Sequence, residues 1–490
     1  MVPRRPGGRP IGAMGRGLAM ADELWRLTAR AAKDLLDRRE VAPIEMVEAC
    51  ARRIEQVDGA VNAAVTRCFD RARDQARRLE ASAERGLLGG LPILVKDLSN
   101  VAGVRSTQGS PIFADHVPDR SDLMVERLEA EGAIVMGKSN TPEFGAGANT
   151  FNEVFGKTLN PWNTDMTCGG SSGGAAVALA TGQVPLATGS DLGGSLRTPA
   201  SFCSVVGFRP SPGRCPAGPR VDPFENMGVV GPMARNVGDV ALMLDAMAGH
   251  DPEDPLSYDR PAQTYRQAAE RPTWPGRIGF SLDLGFSPLD PRVRNALEGM
   301  AAVFAANGVT VSEDIPDLSP ARDIFQTLRA ANFATSKRGL LKSHRAQLKP
   351  EVIWNIEKGL ALGMEEIADA QLARGDLVHR MTRWFESNDL LVCPAAMAPP
   401  FDVEIRYLEE VDGVRFDNYV DWMMLALVFT PTSCPALSLP CSFTEDGLPV
   451  GLQLIAPPRR EDLLLSYAAA LENVLQLPEA TPIDPRGAGA

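Results

Sequence analysis

At 490 residues the chain is longer than the ~250–300 over which single hydrophobic cores stop growing, so one large domain or two closely packed ones is expected. Its 44% hydrophobic and 23% charged residues argue against a disordered chain, and no apolar run approaches the ~18 residues of a membrane-spanning helix. The net charge of −12 argues against a duplex-binding surface, which needs basic side chains to displace counterions, and eight scattered cysteines without CxxC pairs fit neither a disulfide framework nor a zinc site.

Residues 1–20 carry Arg4, Arg5, Arg9 and Arg16 among Gly and Pro but lack the apolar run of a signal peptide. They are expected to form a disordered tail or an over-extended start, with translation beginning at Met14 or Met20. From 21 to 82 the spacing predicts three amphipathic helices, one on Leu24, Leu27, Ala31 and Leu35, one over 44–57 and one over 63–79. A Gly89-Gly90 turn then leads into a buried strand at 91–95, which ends in the charged pair Lys96-Asp97. Ser121 is positioned to cap a helix reaching Ala130, Gly132 closes it, and 133–136 reads as a second apolar strand.

Gly169 to Gly174 introduces a small-residue helix over 175–180, and 184–188 reads as another buried strand before Gly189-Ser190-Asp191. The Pro- and Gly-rich stretches 208–223 and 251–275 read as ordered surface connections. From about 278 the pattern is more helical, over 293–306, 321–343, 351–372 and 377–388. Strands return at 390–392, 436–439 and 450–454, and a helix over 461–474 follows. Alternating helices and short apolar strands predict an α/β layered fold.

Three motifs carry possible chemistry. Gly132 to Ser139 satisfies the phosphate-loop pattern GxxxxGK[ST], but a helix precedes it, its interior is strand-like and Thr141-Pro142 follows, so it reads as an ordinary strand. Gly169-Gly170-Ser171-Ser172-Gly173 matches the GxSxG nucleophile elbow, which needs a histidine late in the chain. The four histidines, His116, His250, His344 and His379, include none near the end. The third motif pairs that run with Gly189-Ser190-Asp191-Leu192-Gly193-Gly194-Ser195-Leu196-Arg197. Glycine lets the backbone approach a substrate closely and aim successive N–H groups at a developing oxyanion, and the serines offer nucleophiles. With histidine scarce, the base for such a serine is a lysine whose pKa falls on burial, and Lys96 at the end of an apolar strand is the candidate. A lone lysine at a strand end is ordinarily exposed or salt-bridged, so this assignment depends on the two glycine loops.

The run from Cys168 to Gly207 resembles the signature of the amidase signature family over its whole length. So do Leu91-Pro-Ile-Leu-Val-Lys-Asp97, Gly137-Lys-Ser-Asn-Thr-Pro-Glu-Phe144, Asn160-Pro-Trp-Asn163, Gly231-Pro-Met-Ala-Arg235 and Gly447-Leu-Pro-Val-Gly-Leu-Gln453. The resemblance implies an α/β/α layered fold, with a large mixed, mostly central β-sheet covered by helices on both faces. It implies a single domain over 21–475, made of N-terminal helices (21–82), a catalytic core (83–250) and a more helical substrate-side region (278–430), with a C-terminal tail at 476–490.

The resemblance further implies a Ser–cis-Ser–Lys triad, in which Ser195 attacks the carbonyl, Ser171 relays its proton across a cis Gly170-Ser171 peptide, and neutral Lys96 receives it. The oxyanion would meet the N–H groups of Leu192, Gly193, Gly194 and Ser195, Asp191 and Arg197 would pair to hold the nucleophile loop, and Ser172 would hydrogen-bond beside the triad. Ser190 stands where the family usually has Thr, and Cys168 where Pro is frequent. Thr432-Ser433-Cys434-Pro435 departs from the Asn-containing segment of the A subunit of glutamyl-tRNA amidotransferase.

The expected activity is hydrolysis of a small carboxamide or a linear or cyclic amide through a Ser195 acyl-enzyme, with no metal and no organic cofactor. The alternatives are a glutaminase-type subunit of an amidotransferase and an inactive binding protein of the same fold. The expected partner is a small-molecule amide, with no direct nucleic acid and no membrane; a homodimer is left open, and cysteine usage fits the cytoplasm. The pocket is expected to draw on 321–419 and on the loop from Phe144 to Phe151, with Phe325, Asn332, Trp354 and Trp422 read as core.

Overall fold

A computed structural model describes residues 23–487, so the expectations for residues 1–20 lie outside the described residues. The first expected helix breaks at Thr28, whose side chain accepts from the Ala31 N–H at 3.1 Å. That gives a short turn, Leu24–Arg26, and a helix, Ala29–Asp37, burying Leu24, Ala29, Ala32 and Leu36 rather than Leu27, Ala31 and Leu35. A second helix, Pro43–Val61, ends at Asn62 in the left-handed conformation. The chain then forms strand β1 (Ala64–Arg67) before a helix at Phe69–Ala81, where sequence periodicity predicts one continuous helix.

The other strands that join β1 are β2 (Pro92–Lys96), β3 (Ile134–Ser139), β4 (Leu186–Asp191), β5 (Val206–Arg209), β6 (Val229–Ala234), β7 (Arg277–Phe280), β8 (Thr310–Ser312), β9 (Leu390–Pro394), β10 (Ala436–Phe443) and β11 (Pro449–Ile455). They form one mixed eleven-stranded sheet in the order β1-β3-β2-β4-β6-β5-β10-β11-β9-β7-β8. β2 runs parallel to β3 and β4, and β9, β7 and β8 form a second parallel group. Antiparallel pairs from β4 through β6, β5, β10 and β11 to β9 join the two groups. Every residue of β2 and β9 is buried, and because side chains alternate between faces, both faces there are covered by helices.

Several boundaries differ from expectation for local reasons. Ser121 Oγ accepts from the Ala102 N–H at 2.9 Å instead of capping the helix Leu123–Ala130, whose cap position is Asp122. The strand after that helix runs through Lys138-Ser139 to the end of β3. Gly299, at φ 88°, splits 293–306 into Pro291–Ala296 and Met300–Ala306. The break expected between 372 and 377 falls instead at Gly363, whose N–H is capped by Glu366, leaving Pro350–Ala361 and one long helix Met364–Trp384. Residues 208–218 are largely interior rather than surface: Arg209, Ser211 and Arg214 are buried, and the last two bind the buried carboxylate of Glu461. Among the described residues no helix is long and apolar enough to cross a membrane.

Candidate active site

β2 and β4 are parallel neighbours, with Ile93 and Leu94 opposite Leu186 and Ala187, so their C-terminal ends leave the sheet side by side. Lys96 ends β2 and Ser190-Asp191 ends β4. The carboxyl ends of parallel strands are where open α/β sheets form ligand crevices. Loop 192–195 follows β4 and enters the helix Arg197–Cys203, and the loop holding Ser171 and Ser172 enters the helix Gly173–Ala180. The two loops are tied together by the Ser172 N–H, which donates to the Ser195 carbonyl at 3.2 Å.

Lys96 is buried and touches hydroxyls instead of a carboxylate. Its Nζ lies 2.7 Å from Ser171 Oγ, 2.8 Å from Ser172 Oγ and 3.1 Å from Ser190 Oγ. Burial pulls the ammonium down to about 7, against the raising field of Asp191. The Gly170–Ser171 peptide is cis. Ser195 is half-buried and, with Ser171, Ser190 and Gly193, lines a cavity of about 90 Å³ walled by Phe144, Phe325, Phe333 and Arg329. Phe325, read as core from the sequence, is thus both fully buried and part of the cavity wall, while Trp422 is core, stacked edge-on against Phe401. None of the four histidines lines this cavity.

Asp191 organises the loop at 192–197. Its carboxylate accepts from the N–H groups of Gly194 (2.9 Å) and Leu196 (3.1 Å), from Arg197 Nε and Nη2 (both 3.0 Å) and from Arg209 Nη1 (3.2 Å). Burial alone would raise its pKa, but the two guanidiniums and these hydrogen bonds hold the carboxyl well below the usual carboxylate range. Arg197, with no exposed surface, also reaches the Ala426 carbonyl at 2.8 Å and the side-chain oxygen of Gln453. It is therefore a tie between the loop and the sheet and does not line the cavity.

One of the four expected oxyanion donors changes. The N–H of Gly194 is committed to Asp191, whereas among the described residues no protein acceptor meets the N–H of Leu192, Gly193 or Ser195. Gly194 sits at φ 105°, and a Cβ there would fall 2.5 Å from the Ala426 side chain. Gly194→Ala is expected to cost about 1–3 kcal/mol of stability and to lower kcat more than KM, checked by thermal unfolding and steady-state kinetics. An Ala variant indistinguishable from the parent would contradict this packing.

Sequence reasoning missed Ser190 as a third hydroxyl on Lys96, Arg209 as a second cation on Asp191, and Thr430, whose hydroxyl donates to the Leu192 carbonyl. Arg209 lay in a stretch read as surface connection, so its composition gave no signal. Lys138, the lysine of the phosphate-loop pattern, is fully buried in β3 and bonds Asp97 at 3.0 Å, the Ser99 carbonyl at 2.6 Å and Ser106 Oγ at 3.0 Å. Its charge is matched inside the protein.

A profile describing the Amidase family matches residues 45–465. The chain belongs to the Amidase family. It is 34% identical over 454 residues to an acylamidase of Rhodococcus erythropolis, covering 91% of this chain and 94% of that protein. It is also 35% identical over 479 residues to the A subunit of the glutamyl-tRNA(Gln) amidotransferase of Moorella thermoacetica, covering 92% and 97%. Among solved structures, a bacterial aryl acylamidase of the amidase signature family superposes with a TM-score of 0.85 at 28% identity, over 93% of this chain and 99% of that one. The fold, the family match and these relatives identify an amide-hydrolysing enzyme.

Proposed function

We propose that this member of the Amidase family hydrolyses a small amide through an acyl-enzyme on Ser195. Neutral Lys96 accepts the proton of Ser171 Oγ as Ser171 takes that of Ser195, and Ser195 Oγ attacks the carbonyl carbon. The N–H groups of Leu192, Gly193 and Ser195 meet the oxyanion. Collapse breaks the C–N bond, and the proton returns through Ser171 to the leaving amine. Water then attacks the acyl-enzyme as its proton passes through Ser171 to Lys96, and collapse breaks the acyl–Oγ bond, releasing the carboxylic acid as the proton returns through Ser171 to Ser195. The observation that carries this reading is the 2.7 Å contact between Lys96 Nζ and Ser171 Oγ, made by a buried lysine with hydroxyl partners at the wall of the Ser195 cavity.

A panel of aliphatic, aryl, cyclic and dipeptide amides, assayed for release of amine or ammonia, tests the proposal together with fluorophosphonate labelling of Ser195. Absence of both turnover and labelling would sink it. The pH dependence supplies a second test. The Lys96 pKa is depressed to about 7, so the base is neutral above that value and protonated below it. The expected kcat/KM is level on the alkaline side and falls about tenfold per pH unit below about 7. A flat profile from about pH 5 to 9 contradicts a lysine base.

The identity to the A subunit of a glutamyl-tRNA(Gln) amidotransferase favours a second reading, release of ammonia from glutamine for a partner. Glutamine turnover that appears only with an added partner protein would support it, and turnover of simple amides by the isolated chain would argue against it.

A further inference from the structure

The cavity at Ser195 has a single arginine in its wall, and that arginine has no counter-charge. Arg329 projects from the helix Ala321–His344 with 4% of its surface exposed. Its Nη2 donates to the Tyr419 hydroxyl at 2.8 Å and its Nη1 to the side-chain oxygen of Asn355, both neutral acceptors. Nearby carboxylates are engaged elsewhere: Glu351 grips Arg406 at 2.7 and 2.8 Å, and Asp421 grips Arg322 at 2.7 and 2.9 Å while accepting from Gln326. No carboxylate lines the cavity or pairs with Arg329 among the described residues.

An ionised group held out of water without an opposite charge is costly, and proteins retain such groups where a ligand supplies the charge. The Phe333 ring lies 4.6 Å from the guanidinium carbon and helps fix its plane. Two turns along the same helix, Lys337 stands 4.9 Å from the Phe144 ring, also without an ion pair among the described residues. Two of the five guanidinium N–H donors reach the neutral partners, leaving others for a ligand.

We infer that Arg329 binds a carboxylate carried by the amide substrate, on its acyl or its amine part, and that the enzyme selects such amides over their neutral counterparts. This rests on the amide-hydrolysing reading of the same cavity. A planar carboxylate matches the guanidinium fork, and one charge matches one arginine, whereas a phosphate would bring about two negative charges into a largely aromatic wall. Phe144 and Phe325 suit the apolar part of such a substrate.

Two substrate pairs separate the positions of the carboxylate. Glutaryl-4-nitroanilide against pentanoyl-4-nitroanilide probes the acyl part, and N-acetyl-4-aminobenzoate against N-acetyl-4-toluidine probes the amine part. In at least one pair the parent is expected to favour the carboxylate in kcat/KM by about 10- to 100-fold, mainly through KM. Arg329→Met is expected to bring that ratio to one or below, and Arg329→Lys, which keeps charge but loses the fork, to an intermediate value.

A parent ratio near one in both pairs overturns the inference. So does an Arg329→Met enzyme in which both members of a pair fall together and the ratio survives, because that marks a merely structural role. Should Arg329→Met fail to fold, the Arg329→Lys ratio decides, and an unchanged value overturns it. If the parent cleaves no amide in either pair, the wider amide panel and fluorophosphonate labelling decide the amide-hydrolysing reading separately, and calorimetry with the uncleaved glutaryl-4-nitroanilide and N-acetyl-4-aminobenzoate still reads Arg329. Binding that Arg329→Lys weakens at least threefold then supports the inference, and no binding overturns it.

Discussion

Replacing Ser195 by alanine is expected to abolish amide turnover, with a loss of about 10⁴- to 10⁶-fold in kcat, the size seen when one member of a nucleophile and base unit is removed. Covalent labelling by a fluorophosphonate disappears with it. Ser171→Ala and Lys96→Ala are expected to fall in the same range, because the 2.7 Å contact between them makes one proton path. The double variants then lose little more than the single ones, since members of one unit are not additive. Ser195→Ala protein that still labels, or that retains more than about a hundredth of the parent's turnover, would exclude Ser195 as nucleophile.

Asp191→Ala is expected to give the largest loss of stability, about 3–5 kcal/mol, because it removes one partner of a buried charge cluster. Arg197 and Arg209, neither with exposed surface, would keep their charges without a carboxylate, and the N–H groups of Gly194 and Leu196 would lose their acceptor. The Asp191 carboxyl titrates well below its ordinary value, so its contribution is complete above about pH 4 and lost only in stronger acid. Thermal unfolding at neutral pH measures the effect. A variant as stable as the parent would show that the cluster carries little net energy. Activity falls as well, since the same carboxylate holds the loop that ends in Ser195.

The residues that meet at the site were more legible than the fold around them. Ser171, Ser195 and Lys96 stood out in two glycine loops and at the end of an apolar strand, while the proton relay and the Asp191–Arg197 pair were expected from the resemblance to the amidase signature family. Strands β5, β6, β7 and β8 were not recovered, and β1 was absorbed into a helix. Ala64 to Arg67 carries no alternation that distinguishes a strand, and its conformation comes from pairing with β3. Arg209 was hidden for a similar reason: its partner Asp191 lies 18 positions away, brought close by the β4, β6 and β5 pairing.

What the sequence by itself determined was the local grammar of the site: glycines at the two loops, serines within them, and a lysine ending a strand too apolar to lie at the surface. These depend on residues near in sequence. Only the tertiary structure decided which N–H groups remain available to an oxyanion, that Ser190 is a third partner of Lys96, and that Arg329 faces the cavity without a counter-charge. Each is a relation between elements far apart in the chain. Such relations follow from which strands pair and how the helix Ala321–His344 packs over them, which no local pattern of residues encodes.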